Sequence, residues 1–374
     1  MQTLPGARWS CHGCGACCRD FRLGPVEPGV VHDLKARGAD DLAGREDWAV
    51  REPGPGGEEG WFLRHVDGHC VFLLPDNRCA VHATYGAEAK PGFCREFPYR
   101  RLRDPNGEVL VIRAECGGFH ASHADGAPLA AQIAEAASLP TLWPTPEFKP
   151  AAVAVLPGVG LALADWMTLE AVLLRCWEAV DADQAEPEDV ARALARSAAQ
   201  AVGKTLAPGR TELATAAVRE AMRMVTQAAI AQESEATEDW QKGLVREVAA
   251  LLQAPQGPRP LEPAARRYLH AVLGQAILGK HLLAAGGFVP MLGRFVFECA
   301  LVRTAPSAAR AGPGGAGGAE TAVTPAEAGA VLVPWLRFAD NPMVLAMLRR
   351  TTPALMELAG PPLKDSATVP TIRP

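Results

Sequence analysis

Tyrosine is almost missing from this chain of 374 residues, with three copies, and aromatic residues together make up only 6 %. A strong excess of one charge is missing too: 37 Lys and Arg stand against 42 Asp and Glu, a net charge of −5. That balance argues against non-specific binding to nucleic acid or to anionic membranes as the main task. Long hydrophobic runs are absent. The longest, Ala151 to Ala164, is broken by Pro157-Gly158 and falls short of the ~20 apolar residues that a spanning helix needs. It reads as a hairpin near 151–164, with AVAVL and VGLALA on either side of a Pro-Gly turn. Met1 to Ser10 holds no apolar stretch of the kind found in signal peptides. The expected location is therefore cytoplasmic, where thiols stay reduced. Phosphate-cradling loops are missing as well, since no G-x-G-x-x-G follows a strand and there is no P-loop.

Cysteine is scarce in most of the chain and crowded at its start. Beyond Cys116 only Cys176 and Cys299 occur, each inside an apolar helical pattern where a free thiol packs as a small hydrophobe. Before that lie Cys11, Cys14, Cys17, Cys18, Cys70, Cys79, Cys94 and Cys116. The run Cys11-His-Gly-Cys14-Gly-Ala-Cys17-Cys18 chains two C-x2-C steps, each able to aim two thiolates at one metal. Gly13 and Gly15 supply the permissive backbone that such a knuckle requires. Thiolates are soft donors, suited to zinc or to an iron–sulfur cluster. All eight are candidate metal ligands, and the partition among sites stays open: two four-cysteine sites, or one with spare thiols. A disulfide framework does not suit a chain this long without an export signal. His12 and His82 flank candidate ligands and read as neighbours of the site, given the surplus of sulfur.

The remaining pattern predicts an α+β protein in two parts. Residues 1–125 form a small cysteine-rich, metal-organised module with short hairpins, and residues 126–374 form a larger all-α helical region. One hairpin is expected where Trp61-Phe-Leu63 and Cys70 to Leu74 flank Asp67-Gly68, and another at Asp104-Pro-Asn-Gly107. A short helix covers Pro28 to Arg37, and Glu52 to Gly60 reads as a loop. Helices are predicted over 128–138, 168–181, 187–206, 211–232, 237–253, 263–283, 289–304, 325–339 and 342–358. Thr324-Pro-Ala-Glu327 is a capping box with Pro at the first helical position, and Asn341-Pro342 is a second cap-and-Pro start. Arg310 to Ala319 is a flexible Gly/Ala loop. Arg95, Arg100, Arg101 and Arg103 make a basic patch beside Cys94, read as a solvated strand edge or as an anion contact. His270 and His281, eleven apart, fall on one face of the 263–283 helix.

At these residues the sequence resembles the CxxCxxCC family of zinc- or iron-chelating proteins. Beyond the first run, Gly68-His-Cys70-Val-Phe72-Leu73, Cys79-Ala-Val-His82, Lys90-Pro-Gly-Phe-Cys94-Arg-Glu-Phe-Pro98 and Cys116-Gly-Gly are similar to its later elements. The likeness covers about residues 9 to 120. The long interval between Cys79 and Cys94 resembles that of flagellin lysine-N-methylases, which also carry a long helical C-terminal region. The resemblance implies metal binding and leaves the metal open; the eight thiols outnumber what one structural zinc needs, which puts an iron–sulfur cluster, [4Fe–4S] in type, ahead of zinc. It leaves enzyme and non-enzyme classes standing. One is a cluster-dependent methyltransferase or oxidoreductase, most concretely a lysine N-methylase-like activity using SAM on a protein substrate. The other is a non-catalytic, zinc-stabilised interaction or metal-handling module. No nucleic-acid or membrane partner is expected.

Overall fold

The computed structural model describes the chain except for residues 20, 55–57, 139–144, 235–238, 254, 284–285, 307–321, 340 and 362–374. The Gly/Ala loop expected at 310–319 lies outside the described residues. The N-terminal third is built from short elements. In chain order these are β1 (Arg8–Trp9), β2 (Leu23–Val26), α1 (Pro28–Ala36), α2 (Ala39–Ala43), β3 (Ala49–Pro53), β4 (Glu59–Leu63), β5 (His65–Val66) and β6 (His69–Cys70). There follow α3 (Ala80–Tyr85), α4 (Gly92–Glu96), β7 (Tyr99–Asp104), β8 (Gly107–Ile112), α5 (Phe119–Asp125) and β9 (Ala127–Pro128). The protein is thus α+β, with small hairpins first and mostly helices afterwards.

Asp67 and Gly68 do turn the chain, both at positive φ, and pair His65 with Cys70. The expected partner strand does not follow. Trp61 to Leu63 belongs to β4, the centre of a three-stranded antiparallel sheet in the order β2-β4-β3, with Ala49 opposite Leu63. A central strand has both edges paired, so nothing is left for residues 70–74. Arg64 marks the break: its N–H bonds the Trp48 carbonyl and its own carbonyl accepts from Val71. The predicted loop over residues 52–60 contributes its two ends to β3 and β4. The second hairpin, β7–β8, forms with the register Tyr99 to Ile112.

The helical part opens with the hairpin β10 (Ala152–Leu156) and β11 (Val159–Ala162), as its Pro-Gly turn predicts. The predicted 128–138 helix begins as a 3-10 turn, Leu129–Gln132, and continues as α6 (Ile133–Ser138). Beyond the hairpin come α7 (Leu163–Glu178), α8 (Pro187–Ala201), α9 (Thr211–Ala231), α10 (Asp239–Leu251), α11 (Pro263–Leu278), α12 (Phe288–Thr304), α13 (Pro325–Ala339), α14 (Pro342–Arg350) and α15 (Thr352–Ala359). Both cap signals operate. Thr324 Oγ1 accepts from the Glu327 N–H while Glu327 accepts from the Thr324 N–H. Asn341 Oδ1 accepts from Met343 at 2.9 Å.

Three helices are shorter than predicted. The 187–206 helix stops at Ala201, just before Gly203 at φ 69°. The 263–283 helix stops at Leu278, because Lys280 takes φ 60° and turns its ammonium onto Asp104 and Glu170. The 342–358 helix breaks at Thr351, where the Thr352-Pro353 step starts a new first turn.

Apolar residues gather in two cores. The smaller one packs Leu23, Val26, Leu34, Trp48, Leu63 and Phe72 around Cys70. The larger one joins the helices through Tyr268, Phe288, Phe297 and Trp335, and takes in Leu102 and Val109 to Ile112 from the β7–β8 hairpin. No single helix among the described residues is long and apolar enough to cross a membrane.

Candidate metal centre

Five of the eight N-terminal thiols line one cavity of about 470 Å³: Cys17, Cys18, Cys70, Cys79 and Cys94. They arrive on four local devices, Cys17 and Cys18 on one of them. Gly15 sits at φ 68° and starts the 3-10 turn Ala16–Cys18; a side chain there would strike the Arg19 guanidinium. Arg19 in turn bonds the Cys14 carbonyl and Asn77 Oδ1, tying the first run to the turn before Cys79. Asn77 holds that turn with φ 65°. Cys70 ends the short β5–β6 hairpin and is buried. Cys79 precedes the first turn of α3. Cys94 lies on α4, whose first N–H, that of Gly92, is held by the Glu27 carboxylate at 3.0 Å. A carboxylate at a helix start satisfies an otherwise orphaned donor.

The sulfurs of Cys17 and Cys18 stand 3.9 Å apart. Thiolates ~2.3 Å from a tetrahedral zinc are about 3.8 Å from one another, so this pair already has the spacing of two corners of such a site. Among the described residues no group of three or more His, Cys, Asp or Glu side chains is drawn closely enough together to hold an ion as it stands. The donor chemistry nevertheless fits a soft metal, since the cavity offers five thiols and one carboxylate, Glu96.

The electrostatics of the bare thiols point the same way. The Cys18 thiol donates toward Cys17 and, with Lys90 and Arg337 nearby, brings Cys17 down to about 7 despite its burial. Cys18 itself is pushed up by that same bond and by burial. Burial also lifts Cys70 to about 12 and Cys94 well above the ordinary thiol range, and neighbouring sulfurs push each further the same way. Several thiolates therefore cannot coexist here unless a cation joins them, which inverts the balance. The backbone offers partial support: the Phe72 N–H faces the Cys70 sulfur and the Gly118 N–H faces that of Cys116.

The other three thiols stand apart from this cavity lining. Cys11 and Cys14 are exposed and Cys116 is buried. Cys14 and the Cys116–Gly117 step pack together, because a side chain on Gly117 would meet Cys14 Sγ at 3.5 Å. His12 approaches Asp125 at 3.5 Å, and His82 is exposed on α3. Cys299 is fully buried, and Cys176 packs against the larger core.

The basic patch divides. Arg100 and Arg101 line the cavity, whereas Arg95 pairs with Glu88 and Arg103 with Glu108. His270 and His281 separate because α11 ends between them. His270 stacks on Trp177 at 4.4 Å, and His281 is hydrogen-bonded to Arg100. Burial, then the Arg100 charge, holds His281 down at about 3, so it is neutral and accepts from the guanidinium.

Residues from far along the chain close the site. Arg337 on α13 donates to the Glu115 carbonyl and lies 4.6 Å from the centre of the Phe21 ring. Burial would raise the Glu115 carboxyl, but Arg113 overrides it and the group sits at about 2. Nothing in the sequence places Arg337 or His281 beside the cysteines. Lys90, in the cavity wall, belongs to the Lys90–Pro98 element that the sequence marks.

The comparisons agree with this geometry. The search of curated proteins and that of solved structures each returned no match. The model of one family, CxxCxxCC, described as a "putative zinc- or iron-chelating domain", matches residues 10–117. Every one of the eight thiols falls inside that span, so over residues 10–117 the chain is similar to the CxxCxxCC domain, and the match supports a metal-binding cysteine cluster there.

Proposed function

We propose that the chain holds an iron–sulfur cluster, with zinc as the second candidate, in the cavity lined by Cys17, Cys18, Cys70, Cys79 and Cys94. The observation that carries this reading is the convergence of five thiols from four separate segments on one cavity. The cavity is far larger than a single ion, which suits a cluster better than a closed zinc site. Cys11, Cys14 and Cys116 are proposed as ligands of a second position or as spare donors beside the first. Location in the cytoplasm fits a site that needs reduced thiols.

A methylase using SAM is the less favoured version of an enzymatic role. SAM carries net positive charge at neutral pH, and five cations face this cavity. A non-catalytic zinc module is the third version, favoured if the metal is held by four thiolates with no open position. Anaerobic purification followed by metal and acid-labile sulfide analysis with a visible spectrum separates them. Iron with sulfide and a broad band near ~400 nm supports the cluster. Colourless protein with one or two zinc per chain overturns it in favour of structural zinc.

A further inference from the structure

Two buried donors near Cys116 have no acceptor among the described residues. The Trp9 indole N–H is buried without a hydrogen-bond partner and faces the Cys116 sulfur. The Tyr268 side chain, on α11, is fully buried and its hydroxyl is unpartnered as well. Of the acidic groups that act on this hydroxyl, Cys116 comes first and Glu115 second. Glu115 already accepts from Arg113 at 3.2 Å. The Tyr268 ring lies 5.9 Å from that of Phe119, whose N–H bonds the Cys116 carbonyl at 3.0 Å, so Tyr268 stands beside the turn that carries Cys116. The Gly118 N–H faces the same sulfur.

Buried donors without partners are rare, and an unseen ion is one cause of them. A neutral thiol is a weak acceptor and gives three donors little in return. A metal-bound thiolate suits them, because hydrogen bonds to an ionised partner are about twice as strong as neutral ones. Such donors orient a ligand and tune its metal. The neighbouring sulfur belongs to Cys14, which lies 3.5 Å from where a Cβ on Gly117 would stand. That Cβ would also meet Ala16 at 2.9 Å, so the Cys116 turn is pressed onto the first cysteine run.

We infer that Cys116 is a metal ligand and not a spare thiol, that it shares its ion with Cys14, and that Trp9 and Tyr268 are positioning residues that donate to its sulfur once the metal is bound. The inference deepens the metal reading and rests on it. Zinc(II) binding to the purified, reduced full chain, measured by chelator competition, tests it, together with urea melts of the same proteins stripped of metal. Cys116→Ser identifies the ion concerned, whose binding should be lost. Tyr268→Phe and Trp9→Phe keep an aromatic ring and remove the donor. Each should weaken that ion by about tenfold or more, as loss of an outer hydrogen-bond partner does. Without metal the sign reverses: Tyr268→Phe deletes an unpartnered buried hydroxyl, so its urea midpoint should stay level or rise.

Zinc held as tightly as by wild type in one variant removes that residue from the role, and in both it overturns the inference while the metal reading stands. The Tyr268 hydroxyl would then serve a buried water beside His123, whose ring is 5.5 Å away. Full zinc in Cys116→Ser has the same consequence. A lower urea midpoint for metal-free Tyr268→Phe would give the hydroxyl a structural role and remove Tyr268 as a donor to the metal site. A full chain that holds neither zinc nor iron sinks the metal reading and takes the inference with it.

Discussion

Cys18 and Cys94, half-buried, differ from the fully buried Cys299 above all in what surrounds the sulfur. All three thiols are raised by burial, but Cys18 and Cys94 also face other sulfurs across the cavity, whereas Cys299 packs among apolar side chains of the larger core. Serine in place of Cys18 or Cys94 should lower bound metal per chain by more than half, while Cys299→Ser should leave it unchanged. Atomic emission on desalted protein reads this directly, and full metal in Cys94→Ser would remove the cavity as the site. His281 allows a second residue-scale test. Its folded pKa, about 3, lies below the unfolded value near ~6.5. The stability is therefore complete above the unfolded pKa and declines as pH falls toward 3, because the unfolded state takes up the proton first. Between pH 7 and pH 5 this one group should cost about 2 kcal/mol. His270, held at about 4 by burial, acts with the same sign, so the contribution of His281 is the difference between wild type and His281→Gln. Urea melts at the two pH values should show a shallower loss in the variant.

Elements meet here at closer range than their sequences announce. Gly293 lies inside α12, where a Cβ would stand 1.8 Å from the Leu355 carbonyl of α15. Glycine in a helix costs up to ~1 kcal/mol against alanine, yet at this crossing it is what lets the two backbones approach. Gly293→Ala should therefore destabilise by about 2 kcal/mol or more through overpacking, against the direction of helix propensity. Thr324→Ala, which only opens the capping box before α13, should cost about 1 kcal/mol; thermal melts of both variants give the order. The contrast tells what was legible. The capping box, the Asn341 cap, the Pro-Gly hairpin and the 3.6-residue periodicity are local, and each appears where the sequence places it. The partner of Trp61–Leu63 and the stop of α11 at Leu278 were not legible, since both depend on residues distant in the chain: Ala49–Pro53 in one case, Asp104 and Glu170 in the other. The candidate site divides the same way. Spacing named the eight thiols, but only folding shows which five share a cavity and that Arg337 and His281 reach its edge.

On the scale of the whole molecule, the two cores are stabilised by different means. The larger has long helices and many fully buried large side chains; the smaller has short strands and one-turn helices around Trp48 and Phe72, with the thiol cavity at its border. Within the larger one, buried polar links tie the β7–β8 hairpin to the helical part: Lys280 to Asp104 and Glu170, with each of the three side chains at most 4 % exposed, and Arg100 to His281. Removing Lys280 would leave two buried carboxylates unpaired, and Lys280→Met should cost roughly 3–5 kcal/mol, read as a fall in the urea midpoint. Metal loss should act elsewhere. Without metal the Cys18, Cys70 and Cys94 thiols are protonated, since burial raises them, and the link we propose between the segments at Cys17–Cys18, Cys70, Cys79 and Cys94 is gone. Structural metal supplies folding energy outright in modules with little core of their own. Stripping the metal with a chelator under reducing conditions should therefore expose the amides of β2 to α4 to hydrogen exchange while α11 and α12 stay protected. Protection unchanged throughout would show that the smaller core stands without metal. Protection lost equally in α11 and α12 would show that the metal holds the whole chain, and that the two cores fold as one unit.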